Sequence, residues 1–281
     1  MFAFIDGDIL VYRVGFTTQD ADIGIAKWRL HELLKKILES VQATEFQVYL
    51  TASNDSTAFR KQVYPEYKAN RKAPRPVHYE ALREYLVSNW GASVSITIEA
   101  DDAIGIDSRN NPDSVIVSID KDLLQLPGLH YNFVKEEFTT VNEHSGLRFF
   151  YKQLLMGDKA DNIKGVEGIG EVKAERILNS AEEYCEEEWF RVVRETYNND
   201  IEMHKNGECL WILQKPFPTG IYSLHPLGST LLQETGVVPS YLQKQNESSL
   251  DASTQEMSTD GRQLNGTNQV DSTEKQETVL L

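Results

Sequence analysis

The chain has 281 residues, with 28 Lys and Arg against 43 Asp and Glu, a formal net charge of −15 and 40% hydrophobic residues. That apolar content suits one full core or two unequal ones. No run approaches the roughly 18–20 apolar residues that span a bilayer, and the start, Met1-Phe2-Ala3-Phe4-Ile5, meets Asp6 and Asp8 without the basic leader of a secretory signal. Cys185 and Cys209 have neither CxxC spacing nor histidine companions, which argues against a disulfide scaffold or a zinc finger and for a reducing, cytoplasmic setting.

In chain order, short apolar runs bounded by polar residues predict strands at 2–5, 46–50, 94–98 and 115–119. Helical patterns lie between them. Residues 25–38 place Trp28, Leu30, Leu33, Leu34, Ile37 and Leu38 on one broad face, and 78–90 does the same with Leu82, Tyr85, Leu86 and Trp90. Strands alternating with such helices predict an α/β fold with a mostly parallel sheet covered on both faces. No internal repeat is visible. Near residue 147 the texture becomes helical: 147–156, then Gly157-Asp158, a glycine-spaced turn at 165–170, and helices at about 171–178, 181–193 and 201–213. The expected organisation is a core at 1–146, a helical unit at 147–225 and a tail at 241–281. The tail holds 10 Ser/Thr, 9 Asn/Gln and no Phe, Trp or Pro. It cannot bury enough apolar area to offset ordering and is expected to be disordered.

The acids follow the strands. Asp6 ends the first, Asp55 lies a few residues past the second, Glu99, Asp101 and Asp102 follow the third, and Asp120 and Asp122 follow the fourth. In an open parallel sheet these ends point to one edge, where ligands bind. Asp158 and Asp161 could reach the same crevice from the helical unit. Two like charges about 4 Å apart repel by roughly 4 kcal/mol at an effective dielectric near 20, so nine such acids need a counter-charge. Oxygen ligands without His or Cys point to Mg²⁺ or Mn²⁺, and two such ions suit a phosphoryl displacement. A single acid after a strand is ordinarily a turn residue or helix cap, and Asp8 and Asp113 are read that way.

Residues 56–76 have the opposite sign. Arg60, Lys61, Lys68, Arg71, Lys72 and Arg75 face only Glu66, with Tyr64 and Tyr67 interleaved. Cations for phosphates and aromatics for bases suit single-stranded or frayed nucleic acid, and a segment of this length could arch over the crevice. The turn Gly165-Val166-Glu167-Gly168-Ile169-Gly170, flanked by Lys164 and Lys173, offers backbone amides to a phosphate. It lacks the preceding strand that a dinucleotide fingerprint needs.

Together these motifs resemble the 5′ nuclease, or flap endonuclease, superfamily, and most of all its short phage 5′→3′ exonucleases; the 5′ nuclease domain of bacterial DNA polymerase I is similar. The resemblance covers roughly residues 1–215 and rests on Phe4-Ile5-Asp6-Gly7-Asp8, Tyr67-Lys68-Ala69-Asn70-Arg71, Glu99-Ala100-Asp101-Asp102, Asp120-Lys121-Asp122, Gly157-Asp158-Lys159-Ala160-Asp161-Asn162 and the glycine turn. It implies a PIN-like sheet with a helical arch and a helix-hairpin-helix subdomain. It implies Asp6, Glu99, Asp101 and Asp120 around one metal and Asp122, Asp158 and Asp161 around a second, with Asp102 reached through water and Asp55 as the acid of the second strand. Lys68 and Arg71 resemble the residues that act with Asp120 on the scissile phosphate, and Tyr67 resembles a base-stacking residue. Arg60, Lys61, Tyr64, Lys72, Gly165, Gly168, Gly170 and Lys173 would contact DNA, with K⁺ at the hairpin. The implied activity is metal-dependent hydrolysis near 5′ ends of duplex or flapped DNA, extending to RNA primers in RNA–DNA hybrids, by a monomer in the host cytoplasm.

Two other classes compete. Asp6-Gly7-Asp8 with Gly157-Asp158-Lys159-Ala160-Asp161 resembles the outer motifs of haloacid-dehalogenase-type phosphatases, in which Asp6 would be a nucleophile. That scheme gives the acids of the third strand no role, and Ile9-Leu10 lacks the usual hydroxyl residue. A non-catalytic DNA binder would use the hairpin alone.

Overall fold

The computed structural model describes residues 1–53, 59–182 and 185–215, all within one compact unit. The tail at 241–281, residues 216–225 of the expected helical unit, and Asp55 lie outside the described residues. β1 (Phe2–Asp6) sits mid-sheet, parallel to β2 (Glu45–Thr51) on one side and β4 (Ser114–Val117) on the other. β3 (Ser93–Ser95) extends the sheet beyond β2, and β5 (Gly128–Asn132) extends it beyond β4. β6 (Glu137–Val141) closes that edge antiparallel to β5, giving the order β3-β2-β1-β4-β5-β6. The chain leaves β1 toward one edge and later returns to build the other, so the switch point lies at the carboxyl ends of β1 and β4.

Period-two alternation explains both layers. Ala3, Ile5, Val48, Leu50, Val115 and Val117 face one way, into a core completed by α1 (Gly7–Thr17), α2 (Ile23–Ser40) and, after the short α3 (Phe59–Val63), α4 (Tyr79–Trp90). Phe4, Tyr49 and Ile116 face the other way, against α5 (Ala100–Arg109) and the 3₁₀ turn Lys121–Gln125. α2 buries Ala26, Leu30, Leu34 and Ile37, one side of the helix, whereas Trp28 is 59% exposed and does not join the expected face. The third strand is shorter than its apolar run predicts: past Ser95 the chain leaves the sheet edge for α5, with Val94 and Ile96 exposed. β5 and β6 lie outside the four predicted strands; each is five residues with polar positions, and β6 is almost wholly exposed.

The helical part starts earlier than residue 147, at α6 (Glu143–Met156), whose Asn142 cap accepts the Ser145 amide. The two-residue strands β7 (Gly157–Asp158) and β8 (Ile163–Lys164) pair across a tight turn. Gly157 has φ +70°, and a Cβ on Gly165 would lie 2.3 Å from the Gly157 nitrogen, so backbone approach demands glycine at both places. α7 (Glu171–Leu178), α8 (Glu186–Tyr197) and α9 (Asp200–Leu210) follow and pack on α6. α8 begins later than predicted, at Glu186, behind Cys185.

A buried guanidinium ties these parts together. Arg60 of α3 donates Nε to Cys209 O (2.9 Å), and Nη1 and Nη2 to the two oxygens of Asp102 (2.5 and 2.7 Å). Nη2 also donates to Trp211 O (2.7 Å), and Nη1 lies 3.6 Å from Glu99. Asp102 accepts the amides of Glu99 and Leu213 as well, at 3.0 and 3.1 Å. Asp102 is 0% exposed, and its oxygens are occupied. It is a structural acid of the α5 capping box, which corrects its assignment as a metal ligand; Arg60, equally buried, is corrected as a DNA contact. Removing one partner of such a pair strands a buried charge. Asp102→Ala should therefore lower unfolding free energy by about 3–5 kcal/mol, and the double replacement Arg60→Met with Asp102→Leu should recover much of that loss, both read from urea denaturation.

Candidate active site

Each carboxylate at the switch point is placed by the end of an element. Asp6 caps α1: its Oδ1 accepts the Ile9 amide (3.1 Å) and its Oδ2 the Ser118 hydroxyl (2.7 Å). Burial, reinforced by Asp8 and Asp120, pushes its pKa up to about 7. Glu99 caps α5 and carries Asp101 on the first turn. Burial, then the charges of Asp6, Asp120 and Glu99, hold Asp101 well above the usual carboxylate range. Asp120 caps the 3₁₀ turn by accepting the Asp122 amide at 2.9 Å. Asp122 accepts from Gln153 Nε2 (2.6 Å) and is pushed up to about 7 by burial and then by Asp120 and Asp158. Asp158, at the end of β7, accepts the amides of Ala160 and Asp161, at 2.6 and 3.3 Å. Lys121 Nζ stands 4.0 Å from both Asp122 and Asp158.

The basic segment lies down on this cluster. It is helical in α3 and then runs through turns, with Lys68 at φ +57°. Lys68 N donates to Asp161 O (2.9 Å), Asn70 Nδ2 to Lys159 O (2.6 Å) and Asn162 Nδ2 to Glu66 O (2.8 Å), which fixes the segment to the 158–162 loop. The Lys68 ammonium pairs with Glu99 and stands 3.8 Å from Asp161; Arg71 pairs with Asp161. Although burial opposes it, Lys68 and Arg60 hold Glu99 down at about 2. Tyr67 is 2% exposed, with its hydroxyl donating to Glu99 (3.0 Å) and Asp161 (2.9 Å). Its ring is buried, which corrects the expected base-stacking role. Tyr64 is half-buried with the Lys205 ammonium 4.6 Å from its ring, and Lys72 is exposed.

The result is a cleft of about 430 Å³ lined by Asp6, Asp8, Glu99, Asp101, Asp120, Asp122 and Asp161 and by the cations Lys61, Lys68, Arg71 and Arg75. Of the expected acids, the structure brings six to the cleft wall and puts Asp158 beside Asp122; Asp102 faces away. Among the described residues no three acids, histidines or cysteines are already drawn together as a metal centre: the acids ring the cleft and arch cations lie among them. Sequence reasoning missed Asp8 and Ser118. Asp8 was read as a turn residue, and nothing local marks a serine two residues before Asp120 as a partner of Asp6. At the hairpin, Gly165 is half-buried where its backbone approaches Gly157. Gly168, with φ +72°, and Gly170 are exposed, and Lys173 Nζ donates to Gly168 O (2.8 Å).

Comparison with known proteins bears on this arrangement. Residues 1–152 match the family described as 5′-3′ exonuclease, N-terminal resolvase-like domain. Flap endonuclease Xni of Shewanella putrefaciens is 30% identical over 196 residues, 64% of this chain and 74% of that protein. The 5′-3′ exonuclease of Bacillus subtilis is 29% identical over 209 residues, 63% and 69% of the two chains. The fold is shared with the T5 D15 protein co-crystallised with metal ions (TM-score 0.58, 18% identity, 89% of this chain and 98% of that one). It is also shared with a bacteriophage T5 flap endonuclease in a complex with DNA and metal ions (TM-score 0.54, 17% identity, 90% and 99%).

The raised acids set a pH dependence. Folded, Asp6 and Asp122 keep protons up to about 7, whereas an unfolded chain releases them near pH 4. The folded state binds more protons in that window, so the stability these groups contribute is present at low pH and lost as pH rises through about 7. In chelator the thermal midpoint should fall between pH 6 and pH 8, and Mg²⁺ should raise it more at pH 8 than at pH 6. Scanning calorimetry at both values checks this; a Mg²⁺ effect that shrinks with rising pH would contradict it.

Proposed function

The chain belongs to the 5′-3′ exonuclease family, and on that premise we propose that it is a divalent-metal-dependent 5′→3′ exonuclease and flap endonuclease acting near 5′ ends of DNA. The observation that carries the reading is the acid-lined cleft at the sheet switch point with the basic segment laid across it. The donor set fits hard cations: the cleft walls supply carboxylate oxygens and, among the described residues lining it, neither His nor Cys. Asp6, Glu99, Asp101 and Asp120 would hold one ion, and Asp122, Asp158 and Asp161 a second. When bound, such ions supply Lewis-acid charge to the phosphodiester and acidify the attacking water.

The remaining work falls to the chain. Lys68 and Arg71 already stand in the cleft beside Glu99 and Asp161 and bring positive charge to the oxygens that gain negative charge during displacement. Gln153 orients the Asp122 carboxylate and Ser118 that of Asp6, so these oxygens are set before substrate arrives. Tyr67 fixes Glu99 relative to Asp161, holding the arch segment and α5 in one register. Exposed Gly168 and Gly170 at the start of α7 offer amides to the duplex backbone, with K⁺ as an added partner there. The same cleft would act on RNA primers in hybrids, since the chemistry is at phosphate. The reading includes action as a monomer in the cytoplasm; among the described residues no helix is long and apolar enough to cross a membrane.

Asp120→Ala should abolish cleavage of a 5′-labelled flap and a nicked duplex in Mg²⁺ while leaving DNA binding within about tenfold. Lys68→Ala should slow cleavage and flatten the salt dependence of binding by about one phosphate contact. Near-normal turnover by the Asp120 variant would defeat the proposal, as would cleavage by the unaltered protein that persists in chelator.

A further inference from the structure

Among the described residues, the end of β2 meets a carboxylate from another element. β2 ends in Thr51, whose side chain is a hydroxyl, yet Thr51 lines the cleft. The carboxylate beside it among the described residues is Asp8, on the first turn of α1. Asp8 Oδ2 accepts the Thr51 amide at 2.9 Å. Asp8 Oδ1 accepts from Arg83 Nη1 at 2.7 Å, and the other arm of the same guanidinium donates to Thr51 O. Both backbone groups of Thr51 are thus closed into a ring by one ion pair. The ring has an outlet: Thr51 Oγ1 accepts the amide of Ala100 at 3.0 Å, the first residue of α5, between Glu99 and Asp101.

We propose that Asp8 and Arg83 form a positioning device for the metal-binding cleft, in which Asp8 supplies a carboxylate at the end of β2 and, through Thr51, sets the α5 acids against Asp6. This rests on the nuclease reading and deepens it. Geometry gives the reason. Asp6 lies two residues from Asp8 on the β1–α1 junction, while Glu99 and Asp101 flank Ala100. Apart from this ring, the α5 acids are held from the far side by Arg60 and from the arch by Lys68 and Tyr67. The ring adds a hydrogen-bonded link from the start of α1, beside Asp6, to the packing of Phe4 against α5. Arg83 is 7% exposed in its side chain against 23% for Asp8, so the guanidinium neutralises the added acid from behind and leaves the carboxylate edge on the cleft. An outer partner of this kind ordinarily changes metal affinity or activity by about 10–100-fold when removed.

Removing Asp8 alone would strand Arg83, so the test uses the double variant Asp8→Ala with Arg83→Met, which removes both charges. Mn²⁺ binding to the DNA-free protein is measured by calorimetric titration, and flap cleavage is measured across Mg²⁺ concentrations. The double variant should fold, bind Mn²⁺ about tenfold or more weakly and need correspondingly more Mg²⁺ for half its maximal rate, with KM for DNA within about twofold. Wild-type Mn²⁺ affinity in the double variant would overturn the proposal, as would a loss confined to KM for DNA. If the unaltered protein bound Mn²⁺ but cut no flap, the nuclease reading would fail, while the Mn²⁺ comparison would still decide the role of Asp8.

Discussion

Repulsion between like charges is the constraint around which this molecule is built. Among the described residues seven carboxylates line one cleft of about 430 Å³, and two like charges about 4 Å apart repel by roughly 4 kcal/mol at an effective dielectric near 20. The structure divides its acids by how that repulsion is answered. Asp8 and Asp102 are each held by a buried guanidinium, from Arg83 and Arg60. Asp6 and Asp122 are instead held by the neutral donors Ser118 and Gln153 and pushed up to about 7. A neutral donor orients an oxygen and leaves its charge for a ligand to meet, whereas Glu99 and Asp161 meet the arch cations Lys68 and Arg71.

This division explains why the sequence was legible in one respect and opaque in another. Asp6, Glu99, Asp101, Asp120 and Asp122 could be read because strand ends of a parallel sheet share an edge, and the apolar runs that set β1, β2 and β4 are short and plain. Asp102 could not be separated from Asp101. Adjacent residues on the first turn of a helix point about 100° apart, and which one faces the cleft depends on Arg60 arriving from a segment 42 residues earlier. Arg60 and Tyr67 misled for the same reason: their composition is that of a nucleic-acid contact, but burial turns Arg60 into a clamp and Tyr67 into a hydrogen-bond bridge. Asp8 was hidden by a good local explanation, since an acid in the first turn of a helix needs no distant partner. β6 escaped because an exposed antiparallel edge carries little apolar patterning, and β5 because His130 and Asn132 interrupt its apolar run.

The arch segment shows what the same electrostatics does to positive charge. Its net excess of cations is worth little to a distant phosphate in a protein of charge −15, because exposed charges are screened beyond about 8–10 Å. What matters is that Lys68 and Arg71 are carried by turns onto Glu99 and Asp161. There, although burial opposes it, Glu99 and Asp161 hold both cations charged. On the proposed reading, bound metal ions would take over the neutralisation of the acids and leave the arch cations to face phosphate oxygens. The acids therefore serve the cations as much as the reverse. Net charge is uninformative about partner choice here, because the two signs are segregated within one cleft rather than averaged over the surface.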